Sequence, residues 1–247
     1  MSETTIFMHA SELVTLRGPK RSRAKAEMSE LSIIPDGAVV VSDGAIEDVG
    51  RTESILKEHD ASGVERLDAS GKVVMPGLVD PHTHVVFAGS REFELDLKLK
   101  GKTYLEIMAA GGGILRTVGD TRAASEQELF EQSAARLRSM ISHGSTTVEA
   151  KSGYGLDKDV ELRMLRTIRR LGEELPVDIV PTFMGAHAVP PEFAGRPDDY
   201  VRFVAEDVLP AVARENLAVF CDVFCEAGAF APDQSRTVLM AAKALLD

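Results

Sequence analysis

The residues with the plainest chemical potential are His82 and His84, which close the run VMPGLVDPHTH at residues 74–84. Alternate residues of a strand face one side, so imidazoles at i and i+2 stand roughly 6.5–7 Å apart at their roots and can converge on one ion. Neutral imidazole is a ligand for zinc and also suits iron, and a catalytic site keeps a place for water beside about three protein ligands. Two histidines are therefore part of a site, and without context a His-x-His pair is an accident of a polar loop. Here Pro76-Gly77 turns the chain ahead of the apolar Leu78-Val79, which read as a strand buried in a parallel sheet, and Asp80 puts a carboxylate beside the pair. That context supports metal binding.

From Met75 onward the pattern alternates strand and helix, which points to βαβ units and a parallel sheet, an α/β architecture. The strand candidates are residues 74–80, 146–150, 178–183 and 218–224. Ser125-x-x-Glu128 is a capping box ahead of an apolar stripe through Leu129, Phe130, Leu137, Met140 and Ile141, stopped by Gly144. Asp157 precedes a second stripe (Val160, Met164, Leu165, Ile168, Leu171) ending at Gly172; a third helix covers 199–214 with a kink at Pro210, and a fourth 233–246. Residues 1–75 read differently, as short strands at 6–16, 37–49 and 65–74 punctuated by the turns Pro35-Asp36-Gly37, Ser42-Asp43-Gly44 and Ala69-Ser70-Gly71, a small β-unit with an exposed charged loop at 17–30. Active sites of parallel α/β barrels gather at the carboxyl ends of strands, where the connecting loops converge. His82 and His84 follow the first such strand, Lys151 to Tyr154 the second, His187 the third and Glu226 the fourth.

Composition narrows the classes. The 247 residues are 44% hydrophobic, ample for a packed core, and the net charge of −11 argues against nucleic acid or an anionic membrane as partner. The basic cluster at 20–25 is too short to reverse that. No stretch reaches the ~20 apolar residues of a membrane span, and the polar start MSETT lacks a secretory layout, so a cytoplasmic protein is expected. Cys221 and Cys225, if on one strand, lie ~13 Å apart, too far for a disulfide, and read as buried apolar thiols.

The run PG-x-VD-x-H-x-H resembles the opening strand of the metal-dependent amidohydrolases, whose catalytic domain is a (β/α)8 TIM-type barrel. FAGSREF (87–93), AAGGGI (109–114), EAKSGYGL (149–156), FMGAHAV (183–189) and FCDVFCE (220–226) together are similar to the imidazolonepropionase family, over nearly the whole chain. The resemblance implies hydrolysis of the cyclic amide of 4-imidazolone-5-propanoate to N-formimidoyl-L-glutamate in histidine breakdown, with one zinc or iron, a small-molecule substrate and a homodimer. It implies that His82 and His84 bind the metal, that Arg91 holds the substrate carboxylate, and that Tyr154 and His187 contact substrate. Unaided, Arg91 would read as a solvated charge, Tyr154 equally as a loop aromatic, and His187 as a third metal ligand. Gly185-Ala186 would make room beside His187. Lys151 is expected to be structural or a charge standing behind the ligands, and Gly111-Gly112-Gly113 a flexible lid rather than a phosphate loop. His9, His59 and His143 read as surface or cap residues.

A closed barrel needs eight strand–helix units and about 250 residues, whereas ~170 remain after the β-unit, with four strands. The expected organisation is the N-terminal part of a small β-sandwich at 1–75 and the first four βα units of a barrel at 76–247, about half of it. By the resemblance, the remaining ligands and the acid/base lie beyond Asp247. The competing readings are a purine- or pyrimidine-ring deaminase on the same metal strand and a barrel without catalysis.

Overall fold

The computed structural model describes residues 4–59, 63–103, 106–107 and 110–246, and the chain divides into two units, 1–76 and 77–247. In the first, β1 (Thr4–Val14), β2 (Ile33–Ser42), β3 (Ala45–Arg51), β4 (Glu65–Asp68) and β5 (Val73–Val74) make one mixed sheet in the order β3-β2-β1-β4, with β5 also on β1. The expected strand at 37–49 is in fact two, because Asp43 and Gly44 both take positive φ (50° and 79°) and reverse the chain in a two-residue hairpin pairing Ser42 with Ala45. Side chains alternate across the sheet. Ile6, Ala38 and Val40 are buried with Ile55 of α1 (Thr52–Glu58), a helix the periodicity of so short a segment did not reveal. The opposite face, with Phe7, Val39, Val41, Ile46 and Val49, lines an open apolar cleft of about 510 Å³. A second sheet covering it, as a sandwich requires, is not found among the described residues. Residues 17–30 form the expected exposed loop, with a short 3-10 turn at Lys25–Ser29.

The second unit is a four-stranded parallel sheet in sequential order: β6 (Leu78–Thr83), β7 (Ser145–Lys151), β8 (Asp178–Ala186) and β9 (Phe220–Val223). Between β6 and β7 run α2 (Phe93–Leu99), α3 (Ile114–Ala123) and α4 (Glu126–Ser142). After β7 comes α5 (Lys158–Glu174), after β8 α6 (Pro197–Phe203) and α7 (Leu209–Arg214), and after β9 α8 (Pro232–Leu246). This succession of neighbouring parallel strands joined by helices is the order found along a βα barrel. The core is one cluster in which Leu129 and Leu137 of α4, Leu165, Ile168 and Leu171 of α5, and Val148, Ala150, Phe183 and Ala186 of the sheet are all buried.

The cap signals hold. Ser125 Oγ accepts from Glu128 N (3.2 Å) while the Glu128 carboxylate takes Ser125 N (2.8 Å), and Asp157 Oδ1 accepts from Val160 N (3.0 Å). Helix α4 ends at a His143 cap followed by Gly144 at φ 97°. Gly172 does not stop α5, which continues two residues further. Upstream of Pro210, Val204–Val208 form a π-helical turn between α6 and α7, since proline cannot donate to the preceding turn. The first strand also departs from expectation. β5 belongs to the sheet of the first unit, and β6, an edge strand, leaves Leu78 49% and Val79 64% exposed rather than buried. No helix of the described residues is long and apolar enough to cross a membrane.

Candidate metal and substrate site

The carboxyl ends of all four parallel strands send rings to one place. His82 is the last residue but one of β6 and His84 follows the strand, with ring centroids 5.7 Å apart. His84 stacks on His187, which follows β8, at 4.6 Å and 9° between planes, and lies 5.1 Å from Tyr154 of the loop after β7. Tyr154 and His187 are 5.3 Å apart, and Phe224, next after β9, meets His187 edge-on at 6.0 Å. The parallel register forces this convergence, because strands running one way discharge their loops at one end.

His84 is suited to ligation. Its Nδ1 is buried with no hydrogen-bond partner among the described residues, and burial together with nearby His187 and His82 pulls its pKa down to about 3. The ring is thus neutral with a lone pair uncommitted, the form in which imidazole binds a metal. His82 is exposed at the mouth, and its backbone N–H donates to Asp80 Oδ1 at 3.3 Å, so Asp80 turns toward the backbone. His187 differs: its Nδ1 lies 2.9 Å from the Gly153 carbonyl, which can only accept, so the proton sits on Nδ1 and the lone pair on Nε2. Burial lowers its pKa as well. Gly153 makes this contact possible. A Cβ there would come within 2.7 Å of Met184 O and 2.9 Å of His187 Cβ, and its φ of 107° belongs to glycine. Gly185, expected to make that room, instead faces the Phe183 ring.

Arg91 stands apart from the imidazoles but shares a cavity of about 380 Å³ with Tyr154, Phe87, Ser90, Thr117 and Arg136. Tyr154 is therefore the residue common to the ring cluster and the arginine cavity. Arg91 Nε lies 3.7 Å from buried Glu94, whose Oε1 also takes the Gly113 N–H at 2.6 Å. The glycine run expected as a flexible lid is held at that end, with Gly112 and Gly113 buried. Arg136 stacks its guanidinium 3.7 Å over the Phe87 ring and donates to the Phe87 carbonyl at 2.8 Å.

Beside the rings, Lys151 is 6% exposed and paired with Glu149 (2.7 Å, from its own strand) and Asp222 (3.0 Å, from β9). Glu149 Oε1 also accepts from Thr182 of β8 at 2.6 Å, so one network ties three strand ends. Burial lowers the Lys151 pKa, but the two carboxylates outweigh it and the net shift is upward, keeping the ammonium charged. Glu226 is exposed and bonds its neighbour Ala227 N at 3.0 Å; Phe224, not Glu226, represents the fourth strand in the cluster. Cys221 is half-buried with its thiol pushed up to about 12 by burial, whereas Cys225, past the end of β9, is exposed and not buried as expected. His143 caps α4, His9 is exposed, and His59 Nε2 sits 3.1 Å from Asp48 in the first unit. With Glu58 these two are a group of three whose ligand atoms lie within 4.8 Å of one another; His82, His84 and His187 do not meet so closely.

Glu161, Phe224, Phe87, Arg136 and Asp222 escaped sequence reasoning. Only Glu161 left a signal: 161, 164, 165 and 168 are one helical stripe, and a carboxylate on its apolar face needs a partner.

No family model matches the chain. Imidazolonepropionases do: that of Brevibacillus brevis is 51% identical over 247 residues, covering 98% of this chain and 58% of the relative. That of Clostridium tetani is 49% identical over 240 residues, covering 97% and 57%. Over nearly its whole length the chain is similar to the imidazolonepropionases. It spans somewhat more than half the length of these curated imidazolonepropionases. Among solved structures, E. coli guanine deaminase matches with a TM-score of 0.63 at 15% identity, over 100% of this chain and 51% of that one. A. niger ochratoxinase matches with 0.59 at 17%, over 98% and 54%. A zinc-complexed atrazine chlorohydrolase variant from Arthrobacter aurescens matches with 0.53 at 14%, over 97% and 51%. At these identities the likeness is one of fold alone.

Proposed function

We propose that this chain is part of an enzyme that opens the cyclic amide of 4-imidazolone-5-propanoate to N-formimidoyl-L-glutamate with one bound zinc or iron. The observation that carries the reading is the meeting of His82, His84, His187 and Tyr154 at the strand ends, with Tyr154 shared by the cavity of Arg91. His82 and His84 hold the ion, a role supported by the buried, unpartnered Nδ1 of His84 and its low pKa. When bound, the ion supplies Lewis acidity toward a carbonyl oxygen and acidifies water. Arg91 pairs with the propanoate carboxylate through its planar fork. Tyr154 contacts the ring, and His187 orients it through Nε2, the nitrogen free to accept from a ring N–H.

The four βα units are proposed as the first half of an eight-stranded barrel, 76–247, with 1–75 contributing to a small β-sandwich. The strand edges of β6 and β9 and the open apolar cleft of the first unit support this. On this reading the remaining ligands and the acid/base lie outside the chain, and the protein is a cytoplasmic homodimer. The test combines loss of imidazolone absorbance, ammonia release and metal content, on the 247-residue chain and on a product of the coding sequence read past Asp247. Ring opening without ammonia in the longer product, with one metal that His84→Ala removes, is expected. Ammonia release from purine or pyrimidine rings instead, or ring opening by a metal-free protein, overturns the proposal.

A further inference from the structure

The loop that carries Tyr154 has no regular structure, yet a single buried carboxylate grips it. Glu161, 1% exposed in the first turns of α5, accepts from Gly153 N with both oxygens (3.2 and 3.1 Å), from Gly155 N (2.8 Å) and from Leu156 N (2.9 Å). The Ser152 hydroxyl adds a further bond to it and itself accepts from Met184 N of β8 at 3.0 Å. Each of these groups presents a donor, and the bonds oppose the rise in pKa that burial imposes on the Glu161 carboxyl, although burial prevails and the net shift is upward. The backbone it holds includes Leu156 at φ 54°, disfavoured for a residue with a Cβ, beside Gly153 at φ 107°, a value open to glycine. From the far side, Arg122 Nε donates to Gly155 O at 2.7 Å.

The held loop has two products. It presents the Tyr154 ring, and it aims the Gly153 carbonyl at His187 Nδ1. A histidine tautomer is set by the hydrogen bond its other nitrogen makes, so whatever fixes Gly153 O also fixes which nitrogen of His187 stays free. We propose that Glu161 is a positioning residue: it locks loop 153–156 and, through the Gly153 carbonyl, holds His187 as the Nδ1–H tautomer with Nε2 open to substrate. The inference rests on reading His187 and Tyr154 as substrate-facing groups, but its test needs no turnover.

The test uses amide hydrogen exchange and long-range imidazole ¹⁵N spectra. The wild-type protein is measured first, because Glu161→Gln risks the fold. Its Gly153, Gly155 and Leu156 amides should exchange as slowly as those of Leu165 and Ile168 in the buried helix, and His187 should show a single Nδ1–H tautomer. In E161Q, which keeps the shape but turns an NH₂ toward N–H donors, those three amides should exchange roughly tenfold to a hundredfold faster. His187 should become a tautomer mixture while Leu165 and Ile168 stay protected. Fast wild-type exchange at the three amides, an unchanged His187 in E161Q, or loss of protection at Leu165 and Ile168 together with the loop each overturns the positioning role. If E161Q behaves as expected while no imidazolone is opened by the longer product, the positioning role stands and the proposed reaction falls.

Discussion

Replacing Lys151 with methionine should loosen the tie between β7, β8 and β9, and the size of the effect follows from who loses a partner. Lys151 and Glu149 have side chains only 7% and 16% exposed, so this is a buried pair, while Asp222 at 43% is in contact with water. Removing one member of a buried pair costs about 3–5 kcal/mol because the other charge stays behind. The lower end applies here, since Glu149 keeps the Thr182 hydroxyl at 2.6 Å, although its Oε2 already lacks a partner. The screened Asp222 pair adds about 0–1 kcal/mol. Lys151→Met should therefore destabilise the second unit by about 3–4 kcal/mol, a fall of roughly 6–16 °C in melting temperature for a unit of this size. Urea unfolding followed by far-UV circular dichroism measures it. Adding Glu149→Gln in the same chain should restore more than half of the loss, since the orphaned charge is then gone. A loss under about 1 kcal/mol for the single variant, or a double variant no better than the single one, would refute the assignment of Lys151 as the tie between strands.

Three further outcomes follow from the same structure. Arg91→Ala in an active longer product should raise KM about tenfold to a hundredfold with kcat within a few-fold, as loss of a charged hydrogen bond made equally in ground and transition states requires; an unchanged KM removes the carboxylate role. At pH 8 an aromatic disulfide reagent should modify one thiol, the exposed Cys225, at once. Cys221, with its thiol pushed up to about 12, has roughly one part in ten thousand as thiolate and should react only on unfolding; burial disfavours the anion, so its rate climbs with pH rather than levelling off near 9, and rapid reaction of both thiols contradicts this. Ser125→Ala should cost about 1 kcal/mol in a urea titration, because it frees Glu128 N and the first turn of α4; a neutral result would mean the capping box is idle.

Features written by neighbours in sequence were legible and features written by neighbours in space were not. The caps at Ser125 and Asp157, the strand–helix alternation and the placing of His84, Tyr154 and His187 at strand ends all depend on residues a few positions apart. The Lys151–Asp222 pair joins positions 71 apart and crosses an intervening strand, which no local pattern encodes. β6 illustrates a subtler miss. Leu78-Val79 has the composition of a strand buried on both faces, but composition states what a strand can tolerate, and burial depends on what lies beside it. The hairpin at Asp43-Gly44 is signalled by the turn residues Ser42-Asp43-Gly44, even though the apolar positions on either side read together as one strand over 37–49.

The two glycines around Tyr154 show how sequence and structure divide the work of building a site. Read alone, Gly153-Tyr154-Gly155 means freedom, a ring on a loose hinge. In the fold the same glycines serve close approach: a Cβ at 155 would stand 2.7 Å from Glu161 N, and one at 153 would strike His187. Glycine here permits the backbone to come within hydrogen-bonding reach of a buried carboxylate, and the bonds then remove the freedom the residue type brought. A substrate-facing group on a loop has to be held as firmly as one on a strand to orient a reacting ring, since small displacements of positioned groups cost large factors in rate. The informative residue for such a site is consequently the charged one on the apolar stripe of the next helix, Glu161, whose presence there is unfavourable unless it has a loop to hold.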